Sequence, residues 1–198
     1  MATKIVIINR ALTKLGSERL MSETDNNAAS RAIEAVYDGA LDNLLRIYRW
    51  SFAIKRAELA TLTDNPAFGY QYQYQLPADC LRIDVVTDMT HQEWHFGYTL
   101  PIPRYQVEGR KILTDMESPI YLRYGARMDD PTLYDSAFTE AFACALAVEV
   151  CESITQSSTK KQAALQDYEM AIRQARQASA IERPPIQQQE TSWVTSRL

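Results

Sequence analysis

The chain has 198 residues, 46% of them hydrophobic, with 21 Lys and Arg against 25 Asp and Glu for a net charge of −4. That length and apolar share suit one medium domain, or one domain with an insertion, and can bury a substantial core. The acidic balance, with adjacent basic residues only at Lys55-Arg56, Arg110-Lys111 and Lys160-Lys161, excludes a protein that grips nucleic acid through a broad basic face.

Residues 3–15 predict a first helix: Ile5, Ile8, Leu12 and Leu15 share one face, and Gly16 is a natural stop. A polar loop at 17–25 follows. A long helix is predicted from Asn26 to Tyr48, capped by Asp25 or Thr24. Its apolar stripe is Ala29, Ile33, Val36, Tyr37, Ala40, Leu41, Leu44, Leu45 and Tyr48, and Arg31, Glu34, Asp38, Asp42 and Arg46 lie off it. Trp50 and Phe52 then alternate in an extended exit and are expected to plug the base of a helical bundle, between it and a sheet.

Residues 60–125 change to a period of two. Tyr70, Tyr72 and Tyr74 alternate, then Leu81, Ile83 and Val85, then Trp94, Phe96 and Tyr98. Val107 to Leu113 reads as strand, tight turn at Gly109, strand, and Ile120, Leu122 and Tyr124 form a last strand. One small antiparallel sheet is expected, with one covered and one wet face.

Pro131–Thr155 predicts the central helix, capped by Asp130 or Asp135. Phe138, Phe142, Leu146, Val150 and Ile154 recur at four-residue spacing. Ala141, Ala145, Val148 and Cys151 fill the flank, so other helices can approach on several sides. A fourth helix, Thr159–Ala180, should pair antiparallel with it through Ala164, Leu165, Tyr168, Ala171, Ile172 and Ala175. The expected fold is mainly α with an inserted small antiparallel β-sheet (α+β): a four-helix bundle core plus an extended C-terminal arm. The N-terminal helices span 1–59, the β-rich insertion 60–127, the C-terminal helices 128–180 and the arm 181–198. Trp50, Phe52, Phe142 and Leu146 are the expected structural core.

No stretch reads as a targeting segment or membrane span; Ile5–Ile8 is far too short. Cys144 and Cys151 sit seven apart on one helix, hence roughly 10.5 Å apart, beyond disulfide reach, which points to synthesis in a reducing cytoplasm. His91 and His95 are four apart, a spacing that could place two ligands on one helix face, but the acid in HQEWH is out of place for the H-E-x-x-H zinc motif and the segment reads as strand and loop. Asp129-Asp130 reads as a turn and cap, and Asp115 with Glu117 as a loop, rather than as paired catalytic carboxylates. The tyrosine row has glutamine neighbours and no positive groove, which favours packing or a protein surface over base stacking. No catalytic residue, cofactor or metal is expected.

A family resemblance adds to this. The long helix, then Arg49-Trp50-Ser51-Phe52-Ala53 with Arg56 and Leu59, then Tyr74-Gln75-Leu76-Pro77-Ala78-Asp79-Cys80-Leu81-Arg82, resembles the tail tubular protein A family. These are head-to-tail adaptors of short-tailed, double-stranded DNA bacteriophages. The order of elements agrees over nearly the whole chain. The resemblance implies a twelve-subunit ring between the portal and a tail nozzle of the tail tubular protein B type. The ring would sit in the virion, and DNA would pass through it without specific binding and without a membrane. Within the arm, Pro184, Pro185, Trp193, Val194 and Leu198 are the expected portal contacts. A head-completion adaptor of a long-tailed phage, or a cell-wall hydrolase acting during DNA entry, are the alternatives.

Overall fold

The computed structural model describes residues 2–22, 25, 27–88 and 105–182. It is an α+β fold of four helices and two small antiparallel sheets. Two compact units are formed: a helical unit of the residues up to Ile54 together with Ala126–Glu182, and a sheet unit covering Lys55–Gly125. The strands Trp94–Tyr98 predicts, the two histidines and the arm beyond Glu182 lie outside the described residues.

In the helical unit, α1 (Lys4–Leu15), α2 (Ala28–Ile47) and α4 (Ser158–Ile181) all pack on α3 (Ser136–Thr155). Helix α3 buries Phe138, Ala141, Phe142, Ala143, Cys144, Leu146, Ala147, Val150 and Cys151, residues that point in every direction around its axis. A helix apolar all round has to be covered all round, and its alanines let the neighbouring backbones come close. Trp50, Phe142 and Leu146 are fully buried, as the core expectation had it, whereas Phe52 is only half-buried.

Several helix ends follow from local chemistry. Asp135 accepts from the Phe138 N–H at 2.6 Å and opens α3. The predicted central stretch is therefore shorter at its front. Pro131–Leu133 forms a separate 3₁₀ turn, because Asp130 caps it through the Thr132 N–H at 2.9 Å. Helix α2 is capped by Asn27, which accepts from Ser30 N–H at 2.7 Å, and not by Asp25; Thr24 lies outside the described residues. Asp25 instead receives Met21 and Ser22 N–H groups within the preceding loop. Gly16, at φ 69°, closes α1 with the left-handed residue that glycine favours, and the Lys160 ammonium donates to the Leu15 carbonyl at the same helix end.

Helix α4 keeps a narrower buried stripe than its pattern promised. Ala164, Ala171, Ile172, Ala175 and Ser179 are buried, Tyr168 is half-buried, and Leu165 is exposed. It also runs on to Ile181 with Glu182 as its cap, so the start assigned to the arm is helix.

The sheet unit holds two three-stranded sheets in place of the single sheet expected. One has the order β1-β6-β3, with β1 (Ile54–Leu59), β6 (Ile120–Ala126) and β3 (Cys80–Thr87). The other has the order β2-β5-β4, with β2 (Tyr72–Gln75), β5 (Lys111–Thr114) and β4 (Tyr105–Glu108). In the second, Tyr74 and Val107 both face Ile112 across the central strand. Strand β6 alternates as predicted, with Ile120, Leu122 and Tyr124 buried. Strand β3 does not present a wet face: Leu81, Ile83 and Val85 are half-buried, and on the other side the Asp84 side chain is 2% exposed against Arg82 at 2.9 Å. A close ion pair lets a strand bury its polar side.

Leu146→Ala tests the all-round burial of α3. It should cost about 2–5 kcal/mol in denaturant unfolding, from lost transfer energy plus a cavity that α1, α2 and α4 cannot all collapse into. A loss below about 1 kcal/mol would contradict this account of the core.

Candidate functional site

The second of the two resemblance motifs, Tyr74–Arg82, forms a hub of polar contacts inside the sheet unit. The β4–β5 turn places Gly109 and Arg110 both at positive φ, 50° and 64°. Two such residues make the turn whose twist matches a hairpin, but the second is not a glycine. Its strain is held by neighbours. The Arg110 guanidinium donates to the carbonyls of Pro77 at 2.7 Å and Ala78 at 3.0 Å. The Arg110 carbonyl accepts from Leu76 N–H at 3.0 Å and from the Gln75 side chain at 3.1 Å. Pro77 also turns the chain, its carbonyl accepting from Cys80 N–H at 3.0 Å.

Asp79 is the next member of the hub. Lys55 of β1 donates to it at 2.7 Å, and the Tyr124 hydroxyl of β6 donates to it at 3.1 Å. Burial acts to raise the Asp79 pKa, but the hydrogen bonds from Lys55 and Tyr124 outweigh it and hold the carboxyl below its ordinary value. The partner moves the opposite way. Burial first, then the Asp79 carboxylate, push the Tyr124 phenol up to about 12. Arg82 completes the motif: it pairs with Asp84 and lies so close to Gly125 that a Cβ there would meet Nη2 at 3.3 Å.

The first motif, Arg49–Ala53, does the same in the helical unit. The Trp50 indole N–H donates to the Leu44 carbonyl at 2.8 Å, satisfying the one polar atom of a ring that is 1% exposed. Its ring meets Tyr48 at 5.1 Å, Phe138 at 4.9 Å and Phe52 at 6.4 Å, and Phe52 meets Tyr134 at 5.5 Å. Ser51 hydrogen-bonds to Glu182 and lies 3.5 Å from Ser179, which ties the segment after α2 to the end of α4. Tyr134, buried in this cluster, donates to the Met128 carbonyl at 2.6 Å, and burial raises its pKa.

Two charged features lie on the same unit. On α1, Arg10 at 3.3 Å and Lys14 at 2.6 Å both pair with Glu140 of α3, beside a cleft of about 470 Å³ that Arg19 also lines. Just after β6, Arg127 holds Asp129 through Nε at 2.7 Å, Asp42 through Nη1 at 3.1 Å and Asp38 through Nη2 at 2.9 Å. Sequence reading placed Asp38 and Asp42 off the apolar stripe but missed Arg127. The signal was there in outline: two carboxylates four apart on a helix form a fork a guanidinium can bridge.

The residues singled out for chemistry have other employment. Asp129 pairs with Arg127, Asp130 caps the 3₁₀ turn, and Asp115 accepts from Gln71 N–H at 3.0 Å. Cys80, Cys144 and Cys151 are free and buried, and burial raises the Cys144 thiol pKa. Tyr74 is fully buried and donates to the Met116 carbonyl, so the tyrosine row is not one continuous outer surface. Among the described residues, no group of three or more His, Cys, Asp or Glu is placed to hold a metal. No described helix is long and apolar enough to cross a membrane. Pro184, Pro185, Trp193, Val194 and Leu198 lie outside the described residues.

No family model matches the chain, and no curated protein matches it.

The Asp79 hub predicts a pH effect of definite sign. A carboxyl whose folded pKa is depressed contributes stability that is present above its unfolded pKa, about 3.9, and lost as pH falls through the folded value. Asp79→Asn should therefore lower stability at neutral pH and flatten the fall in stability below about pH 4. A variant whose acid unfolding profile superimposes on that of the parent chain would remove the hub from this role.

Proposed function

We propose that the chain is a structural phage protein, a head-to-tail adaptor that assembles as a ring between portal and tail nozzle and continues the DNA channel. In this reading it works in the virion and carries out no reaction. The observation that carries the reading is the employment of the two motifs. Arg49–Ala53 and Tyr74–Arg82, the segments that bear the family resemblance, supply central contacts of the helical and the sheet unit respectively. Residues so placed belong to a framework, and the order of two helices, a β-rich middle and two helices is the one the resemblance implies.

Electrostatics is compatible with a conduit. A chain of net charge −4 repels phosphate at short range, and DNA that must slide should not be held. A ring needs contacts between unlike faces of neighbouring copies, which close only at the right rotation. The portal then serves as template, and the free protein is monomeric at low concentration. The arm supplies the anchor. It carries Trp193, Val194 and Leu198 behind the stiff Pro184-Pro185 pair, in a segment too poor in apolar residues to build a core.

Mass measurement should find monomer for the dilute protein alone and a multi-copy ring when cognate portal is added. Truncation after Glu182, which retains the Ser51–Glu182 hydrogen bond, should leave the melting temperature nearly unchanged and weaken portal attachment. Trp193→Ala alone should reproduce a large part of that loss. No binding to portal at micromolar concentration would refute the adaptor reading, and equal binding by the truncated chain would refute the anchor.

A further inference from the structure

We propose that the sheet unit carries a saccharide-binding cleft, which takes a neutral hexose or N-acetylhexosamine chain between the loop before β2 and one face of the β2-β5-β4 sheet. The cleft encloses about 700 Å³, within the roughly 300–1,000 Å³ range of small-ligand sites. All its lining residues belong to the sheet unit. Such binding is a function beyond assembly and stands or falls separately from it.

Strand register builds the floor. Gln73 of β2 and Gln106 of β4 both pair with Leu113 of the central strand, and Glu108 pairs with Lys111 one repeat further along, so these five side chains share one face of the sheet. The floor is fixed in place. Gln73 is 7% exposed, its amide nitrogen donates to the Asp64 carbonyl at 2.5 Å, and its amide oxygen accepts from the Lys111 ammonium at 3.3 Å. The wall is the loop from Asp64 to Tyr70, held at both ends. The Leu62 N–H donates to the Gln73 carbonyl at 2.8 Å, and the Gln71 N–H donates to the Asp115 carboxylate at 3.0 Å. Between these holds Gly69 turns the chain at φ 90°, where glycine is favoured. Phe68, just before it, lines the cleft and is 89% exposed, so its ring is left uncovered.

The chemistry of the lining names the ligand. A pyranose has an apolar C–H face and a rim of hydroxyls that both donate and accept. The C–H face suits the negative face of an aromatic ring such as Phe68. Neighbouring hydroxyls suit planar side chains that end in two polar atoms. Asp64, Asn65, Gln106 and Glu108 are four such side chains on the cleft, and none makes a hydrogen bond or ion pair among the described residues. The charged groups that line it, Asp64 and Glu108 against Lys111, nearly balance, which favours a neutral ligand over an ionic one. A nucleotide would need cations for its phosphate, and Lys111 is already tied to Gln73. The pinned loop and fixed floor lower the ordering cost of contact.

The test is nitrogen-15 NMR of the full-length protein, titrated separately with cellotetraose, maltotetraose, mannotetraose and chitotetraose to millimolar concentration. We expect at least one of these sugars to shift the backbone signals of Phe68 and Gly69 and the side-chain amides of Asn65 and Gln106 along one saturable curve. Phe68→Ala should weaken that binding roughly tenfold or more and leave the melting temperature unchanged, because the ring is so exposed. The double variant N65A/Q106A should weaken it as well, through lost hydrogen bonds. No saturable shift from any of the four sugars, shifts confined to other residues, or an affinity indifferent to Phe68→Ala would overturn the inference. Saturation of the same signals by penta-alanine and by none of the sugars would assign the cleft to peptides and overturn it too.

Discussion

Helix α3 has almost no solvent face, and the helical unit follows from that constraint. A helix covered by three others must be narrow, which explains alanine at 141, 143, 145 and 147 between larger residues at 142 and 146. Two of its three charges stand at the seams. Glu140 receives Arg10 and Lys14 from α1, and Glu152 receives Lys161 from α4 at 2.9 Å. Glu140 and Glu152, two of the acids that interrupt the apolar pattern, are thus points where neighbouring helices are tied on, each worth little alone at partly exposed sites. Thr139, buried on this helix, returns its hydroxyl to the Asp135 carbonyl at 2.8 Å and so leaves no polar atom stranded.

The aromatic cluster extends this core past the end of α2. The Trp50 indole N–H takes a carbonyl from the last turns of that helix, a group that a helix end leaves without an internal partner. One hydrogen bond therefore satisfies two groups that would otherwise be costly to bury. The ring then lies edge-on to Phe138, with an interplanar angle of 76°, the arrangement that aromatic quadrupoles favour. Phe138 continues to Phe142, and Phe142 to Tyr37 at 5.0 Å, so one run of rings connects the exit of α2 with the middle of both α2 and α3.

What the sequence made legible was periodicity, and what it hid was choice among nearby polar groups. The stripe on α2 and the four-residue recurrence on α3 have a single physical reading, because burial repeats with the helix turn. Capping is different: Asp25 and Asn27 are equally good acceptors, and the loop's own demand for Asp25 decided the matter. Leu165 was misplaced on α4 because an alanine stripe buries a narrow strip and leaves the adjacent position outside. Two sheets were read as one because alternation marks strands but carries no pairing. Arg110 was invisible as a turn residue, since an arginine at positive φ is tolerated only where contacts far along the chain hold it. The functional candidates fared likewise. Trp50 announced itself by size, whereas Arg127 depends on carboxylates more than 80 residues away in the chain.

That both resemblance motifs sit in the framework limits what they say. Trp50, Asp79 and Arg82 are fixed by packing and hydrogen bonds, so their pattern identifies a way of folding and only indirectly a task. A task of assembly must be written on the outside, where single residues are free to change and only charge, spacing and exposure matter. On the outside, the helical unit carries two clusters of ion pairs, Arg10 and Lys14 on Glu140, and Arg127 on Asp38, Asp42 and Asp129. Those pairs hold long side chains in one place, and a contact made through side chains already held costs less ordering.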